Sequence, residues 1–142
     1  MDSTPPHSNI LQQLLEIYAS IPAINCHHCH SCDGPVIWFQ PEDINIKDYL
    51  KKHHRKMISW TTEEFQKHHM QCPYLENNRC SIYPVRPLIC RLQGTIPELP
   101  CHQGISPILT ANQLQEIKKK FNKLLKESNN LSTFYSTRKY QI

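Results

Sequence analysis

Pro73, Pro84, Pro87, Pro97, Pro100 and Pro107 punctuate the stretch from Cys72 to Ile108 and forbid any long helix there. The same stretch carries Cys72, Cys80, Cys90 and Cys101, four of the seven cysteines in the chain. The other three lie upstream in CHHCHSC, residues 26–32, where Cys26, Cys29 and Cys32 form C-x2-C-x2-C with His27, His28 and His30 between them. Both regions are poor in the apolar residues that build a core. At 142 residues the chain fits one domain, and its 39% hydrophobic content falls below the roughly 45–50% usual for globular domains. Such a chain needs a staple. A metal shared between the two loop regions provides one, because metal-binding free energy becomes folding free energy.

Disulfides are the competing staple, and they belong mainly to secreted chains. Residues 1–20 lack the basic start of a secretion signal, and the apolar run ILQQLLEIY is broken by Gln and Glu. No stretch approaches the ~18 apolar residues of a membrane span. These features predict a reducing, cytoplasmic location without membrane attachment, where clustered cysteines serve metal or redox chemistry. An odd number of thiols also leaves one over in any complete set of internal disulfides. A set of small buried core thiols is the blander alternative.

Periodicity predicts helices around the cysteine regions. Ser8 or Asn9 caps a first one with Ile10, Leu11, Leu14, Leu15 and Tyr18 as its stripe, ended by Pro22. VIWF, residues 36–39, reads as a short extended piece. Pro41, Glu42 and Asp43 open a second helix, proline early and acids in the first turn, running through Ile46, Tyr49 and Leu50 towards Met57. Thr61 with Glu64 forms a capping box for a third, TTEEFQKHHM. A last helix starts at Thr110, boxed with Gln113, and carries Leu114, Ile117, Phe121, Leu124 and Leu125. Residues 129–142 show no period and are predicted to fray. The fold class is mainly α with irregular Cys-rich loops and few or short strands, a small metal-stapled single domain. Its parts are a leader and helix over 1–25, a cysteine-cluster region over 26–104, and a basic helix with its tail over 105–142.

Spacing makes Cys26, Cys29, Cys32, Cys72, Cys80, Cys90 and Cys101 the candidate ligands, since thiols two residues apart reach one ion across a tight turn. The metal stays open between zinc and iron, a 4Fe-4S cluster included. C-x2-C-x2-C begins the bacterial ferredoxin run, but position 36 is Val and the only Cys-Pro is Cys72–Pro73. Two closed zinc sites need eight ligands, which seven cysteines plus Asp33, His30 or His102 would supply. The pairs His53–His54 and His68–His69 sit on helices, where neighbours point about 100° apart, and are expected to face solvent.

CHHCHSCDGPVIWFQPEDI followed by CPYLENNRCSIYPVRPLICR resembles the YkgJ-type cysteine-cluster family, the CxxCxxCC zinc- or iron-chelating domains. The second block carries the likeness: Cys72, Pro73, Tyr74, Leu75, Cys80, Ile82, Tyr83, Arg86, Pro87, Cys90 and Arg91 fall in the family's places. Asp33 stands where the family has its paired cysteine, and Leu92–Gln93–Gly94 replaces the usual aromatic-Pro after Cys-Arg. The resemblance implies metal chelation, with related clusters accompanying flagellin lysine methylation. Spacing and resemblance together make Arg86 and Arg91 guanidinium partners for clustered thiolates. Tyr83 either packs over the centre or joins the core.

Net charge is +4 with a pI near 8.7, short of the pI above about 9 that marks nucleic-acid-binding domains. Lys118, Lys119, Lys120, Lys123 and Lys126 on the last helix read as a solvated face, with a nucleic-acid footprint as the alternative. No Ser-His-Asp set, phosphate loop or Gly-rich cofactor turn is present, so the reading is not a stand-alone enzyme. The sequence points to a chelating protein in metal handling or an accessory role beside a protein partner. An iron–sulfur oxidoreductase, a methyltransferase accessory and a zinc-stabilised nucleic-acid adaptor are the alternatives.

Overall fold

The computed structural model describes residues 8–22, 37–58, 60–77, 79–100, 106–128 and 133–135. The fold is mainly α. In chain order it runs α1 (Ser8–Ala19), β1 (Ile37–Phe39), α2 (Gln40–Lys52), α3 (Thr62–Lys67), β2 (Leu75–Glu76), β3 (Arg79–Cys80), a 3-10 turn (Tyr83–Val85), α4 (Leu88–Leu92), α5 (Ala111–Glu127) and β4 (Thr133–Tyr135). The proline-rich stretch contains only the hairpin, the 3-10 turn and the five-residue α4 among its described residues, as its φ restrictions require.

Two apolar clusters hold these pieces. In the first, α5 buries Leu114, Ile117, Phe121, Leu124 and Leu125 against Leu14, Ile17 and Tyr18 of α1. Leu92 at the end of α4 and Ile96 and Leu109 from the segment after it close the cluster. The stripe on α1 is rotated from the one its sequence predicts: Leu15 is 51% exposed, and Ile17 takes the core position. The second cluster is smaller and gathers Trp38, Ile46, Leu50, Tyr74, Ile82 and Val85, with Cys72 and Cys80 packed against it. Strand β1 separates the two. Successive strand residues point to opposite faces, so Trp38 enters the second cluster while Phe39 meets Phe121 edge-on at 5.5 Å on the first.

Strand β1 pairs antiparallel with β4, Ile37 opposite Tyr135 and Phe39 opposite Thr133. This corrects the expectation of a frayed tail: residues 133–135 are a strand because β1 offers an open edge for backbone pairing. Periodicity cannot reveal so short a piece.

Helix ends follow local chemistry. Thr61 and Thr110 cap α3 and α5, each accepting from the amide three residues on, with Glu64 and Gln113 returning the bond. The C-termini of α2 and α3 are built alike. His53 and His68 are the C-caps, and His54 and His69 follow in the left-handed region, both at φ 56°. The amide of Arg55 then donates to Leu50 and that of His54 to Lys51; Met70 donates to Phe65 and His69 to Gln66. Both are Schellman closures with histidine where glycine usually stands. They stop α2 at Lys52, well short of the predicted run towards Met57. The exposed histidine pairs are helix terminators.

Candidate metal centre

Three of the seven predicted sulfur ligands fall within the described residues, and each arrives on a different piece of chain. Cys72 precedes Pro73, and the Leu75 amide donates to the Cys72 carbonyl at 3.1 Å, folding that residue back onto the hairpin. Cys80 ends β3 directly opposite Leu75. Asn77, at φ 49°, makes the tight turn between the strands. Ser81 ties the hairpin base, its amide and hydroxyl donating to the Tyr74 carbonyl at 2.8 and 2.6 Å. Cys90 lies on α4, its amide donating to the Pro87 carbonyl at 3.1 Å.

Cys90 senses the other two sulfurs. Burial pushes the Cys90 thiol far above its ordinary value; the neighbouring Cys72 and Cys80 raise it further, and the Arg86 guanidinium opposes the rise. Clustering of this kind is costly for thiolates alone and favourable once a cation joins them. Among the described residues no group of three or more His, Cys, Asp or Glu side chains could hold a metal ion. Cys72, Cys80 and Cys90 are therefore not a closed site by themselves. Cys26, Cys29, Cys32 and Cys101, with Asp33, His30 and His102, lie outside the described residues. Three soft sulfur donors beside a guanidinium suit zinc or iron rather than a hard cation.

The two arginines differ in setting. Arg86 places its guanidinium 3.7 Å from the Tyr83 ring centroid and donates from Nε to the Tyr83 carbonyl at 3.0 Å. Tyr83 is 46% exposed, so it is a platform for Arg86 at the surface and not a core residue. Arg91 is more enclosed. Its guanidinium lies 3.9 Å from the Tyr18 ring centroid, and it donates to the Arg86 carbonyl at 2.7 Å and the Pro84 carbonyl at 3.0 Å. Burial lowers its pKa, while the facing Tyr18, Glu42 and Cys90 hold the charge in place.

Glu42 is the residue that sequence reasoning overlooked. Read as a first-turn acid serving the helix dipole, it is in fact 1% exposed. Its carboxylate accepts from the Tyr18 hydroxyl at 2.6 Å, from the Phe39 amide at 3.2 Å and, closely, from the Leu88 amide at the start of α4. Desolvation raises its pKa, and the Tyr18 and Leu88 hydrogen bonds pull against that. One available signal was Tyr18, whose hydroxyl needs a partner if the ring joins a helix core.

Histidines 53, 54, 68 and 69 are exposed, as predicted, and Lys118, Lys119, Lys120, Lys123 and Lys126 line the solvent side of α5. No described helix is long and apolar enough to cross a membrane.

Comparison with known proteins agrees with the donor chemistry. No curated protein and no solved structure matches the chain. A family model, CxxCxxCC, described as "Putative zinc- or iron-chelating domain", matches residues 25–123, from just before Cys26 into α5. With well over half its length matched, the chain belongs to the CxxCxxCC family of zinc- or iron-chelating domains.

Proposed function

We propose that the chain holds zinc or iron in a thiolate-rich centre built from Cys26, Cys29, Cys32, Cys72, Cys80, Cys90 and Cys101, and serves in metal handling or as an accessory to a partner protein. One observation supports this reading above the rest. Cys72, Cys80 and Cys90 come from a loop, a strand end and a helix, yet Cys72, Cys80 and Arg86 all lie within electrostatic reach of Cys90. Core packing alone gives no reason for three thiols and a guanidinium to share a neighbourhood. When bound, the metal supplies a crosslink between loops and keeps its thiolates ionised. The chain's own residues do the rest: the hairpin positions Cys72 and Cys80, α4 positions Cys90, and Arg86 and Arg91 offset the negative charge of the sulfurs. Thiolates of this kind last in a reducing compartment, which favours a cytoplasmic setting.

The test is elemental analysis with a visible spectrum on the full chain purified without oxygen. Stoichiometric zinc or iron in the wild type, lost in Cys80→Ser and Cys90→Ser, is the expected result. A brown protein would identify an iron–sulfur centre, and a colourless one retaining zinc a zinc site. Metal-free wild type, or full occupancy in both variants, would overturn the reading.

A further inference from the structure

Glu42 joins three parts of the chain that are far apart in sequence: α1, β1 and the start of α4. The Tyr18 hydroxyl reaches it from α1, and the Phe39 amide from β1. The Leu88 amide, two residues before Cys90, donates to the same carboxylate oxygen, Oε2, that Tyr18 bonds. Arg91, directly after Cys90, stacks on the ring of that same Tyr18. Thus the residues flanking Cys90 on both sides are gripped by one pair, Tyr18 and Glu42, neither of which offers a sulfur or nitrogen donor. A buried carboxylate is costly unless its lone pairs are used. Here the Leu88 bond holds the turn that presents Cys90 directly, the Tyr18 bond holds it through Arg91, and the Phe39 bond anchors Glu42 itself at the start of α2.

We infer that Glu42 is a positioning residue for the metal centre, holding the α4 turn and Arg91 through Tyr18 so that Cys90 stays beside Cys72 and Cys80; this rests on the thiolate-centre reading above. Partners that orient ligands without touching the metal characteristically change affinity by roughly 10–100-fold when removed. The clamp also ties α1, which precedes the matched family region, to the cysteine cluster. Undocking α1 would therefore loosen the centre without removing a ligand.

The experiment titrates the reduced full chain with Co(II) in competition with a chromophoric chelator, following thiolate-to-cobalt charge transfer and the d–d bands. Tyr18→Phe removes one oxygen, and Glu42→Gln keeps the shape while removing the charge. Both are expected to bind the wild-type number of cobalt ions with roughly tenfold weaker affinity and altered d–d bands. The double variant should be little weaker than the worse single one. Leu124→Ala, which loosens the same helical cluster away from the clamp, should lower the melting temperature and leave Co(II) affinity and spectrum alone. Wild-type affinity and spectrum in Tyr18→Phe would overturn the inference, even if Glu42→Gln fails to fold. So would equal weakening by Leu124→Ala at a matched loss of melting temperature. A wild-type chain with no thiolate-to-cobalt band would instead sink the metal reading, and the clamp with it.

Discussion

Helix α5 alone sends five side chains, from Leu114 to Leu125, into the cluster it shares with α1. From Cys72 to Val85 the chain gives the second cluster only Tyr74, Ile82 and Val85 as buried apolar residues, with Cys72 and Cys80 at its border. The first arrangement is held by burial repeated along two helices and closed by Leu92, Ile96 and Leu109. The second has turns, prolines and thiols where further leucines would be, and the Tyr74 hydroxyl has to accept from the Ile58 amide at 2.8 Å to satisfy its own neighbourhood. One half is stabilised by water leaving apolar surface. The other buries less apolar surface, around Trp38, Ile46, Leu50 and Tyr74, and on the proposed reading gains the rest from what its sulfurs bind.

Removing the metal is the largest way to break that contrast. Structural zinc contributes on the order of 10–16 kcal/mol in small sites, so chelation or Cys80→Ser should strip amide protection from Leu75–Cys80 and α4. Amides of α5 should keep theirs. Hydrogen exchange measured with and without chelator checks this, and simultaneous loss in α5 and the hairpin would show one cooperative core instead. The reverse cut is Leu124→Ala. Leu124 is fully buried in the helical cluster, and truncation there should cost about 2–5 kcal/mol in denaturant unfolding of the metal-loaded chain. Metal content should stay at its wild-type value.

The helical half was also the legible half. Leu114, Ile117, Phe121, Leu124 and Leu125 recur at the helical period, and the Thr61 and Thr110 boxes are written locally, so both are readable in the sequence alone. On α1 the period was right but the face was turned, because Leu15 and Ile17 are equally apolar and only the partner helix decides between them. β4 and Glu42 were not readable for a different reason. A three-residue strand and a buried carboxylate depend on partners far away in sequence, β1 and Tyr18, and nothing in their own neighbourhoods announces them. The site divides the same way. Spacing singled out Cys72, Cys80 and Cys90 as candidate ligands, while the Tyr18–Glu42 pair that grips the residues flanking Cys90 was visible only in three dimensions.

The histidine terminators sharpen the comparison further, because they border the weaker half. His54 and His69 pay for a left-handed conformation that glycine adopts without a Cβ clash. His54→Gly should therefore stabilise the chain by about 0.5–1 kcal/mol, less the extra freedom glycine gains when unfolded. Thermal unfolding of the metal-loaded chain reads this directly. A loss of bound metal in that variant would instead make His54 a ligand.

The smallest effect belongs to the ion pair between Arg55, just past α2, and Glu76 on the hairpin. Both side chains are exposed, so solvent screens the pair. The hydrogen bond from Arg55 nevertheless holds the Glu76 carboxyl below its ordinary value of 4.5. A depressed folded-state pKa means the contribution is present above that ordinary value and fades as pH falls through the lower, folded one. Between about pH 6 and about pH 3 the wild type should lose slightly more stability than Glu76→Gln, and the difference should shrink in roughly 1 M salt, where the screening length falls to about 3 Å. A difference that salt leaves undiminished would mean the pair fixes the hairpin against α2 by geometry rather than by charge. That would bring Arg55 into the group of residues that position Cys72 and Cys80.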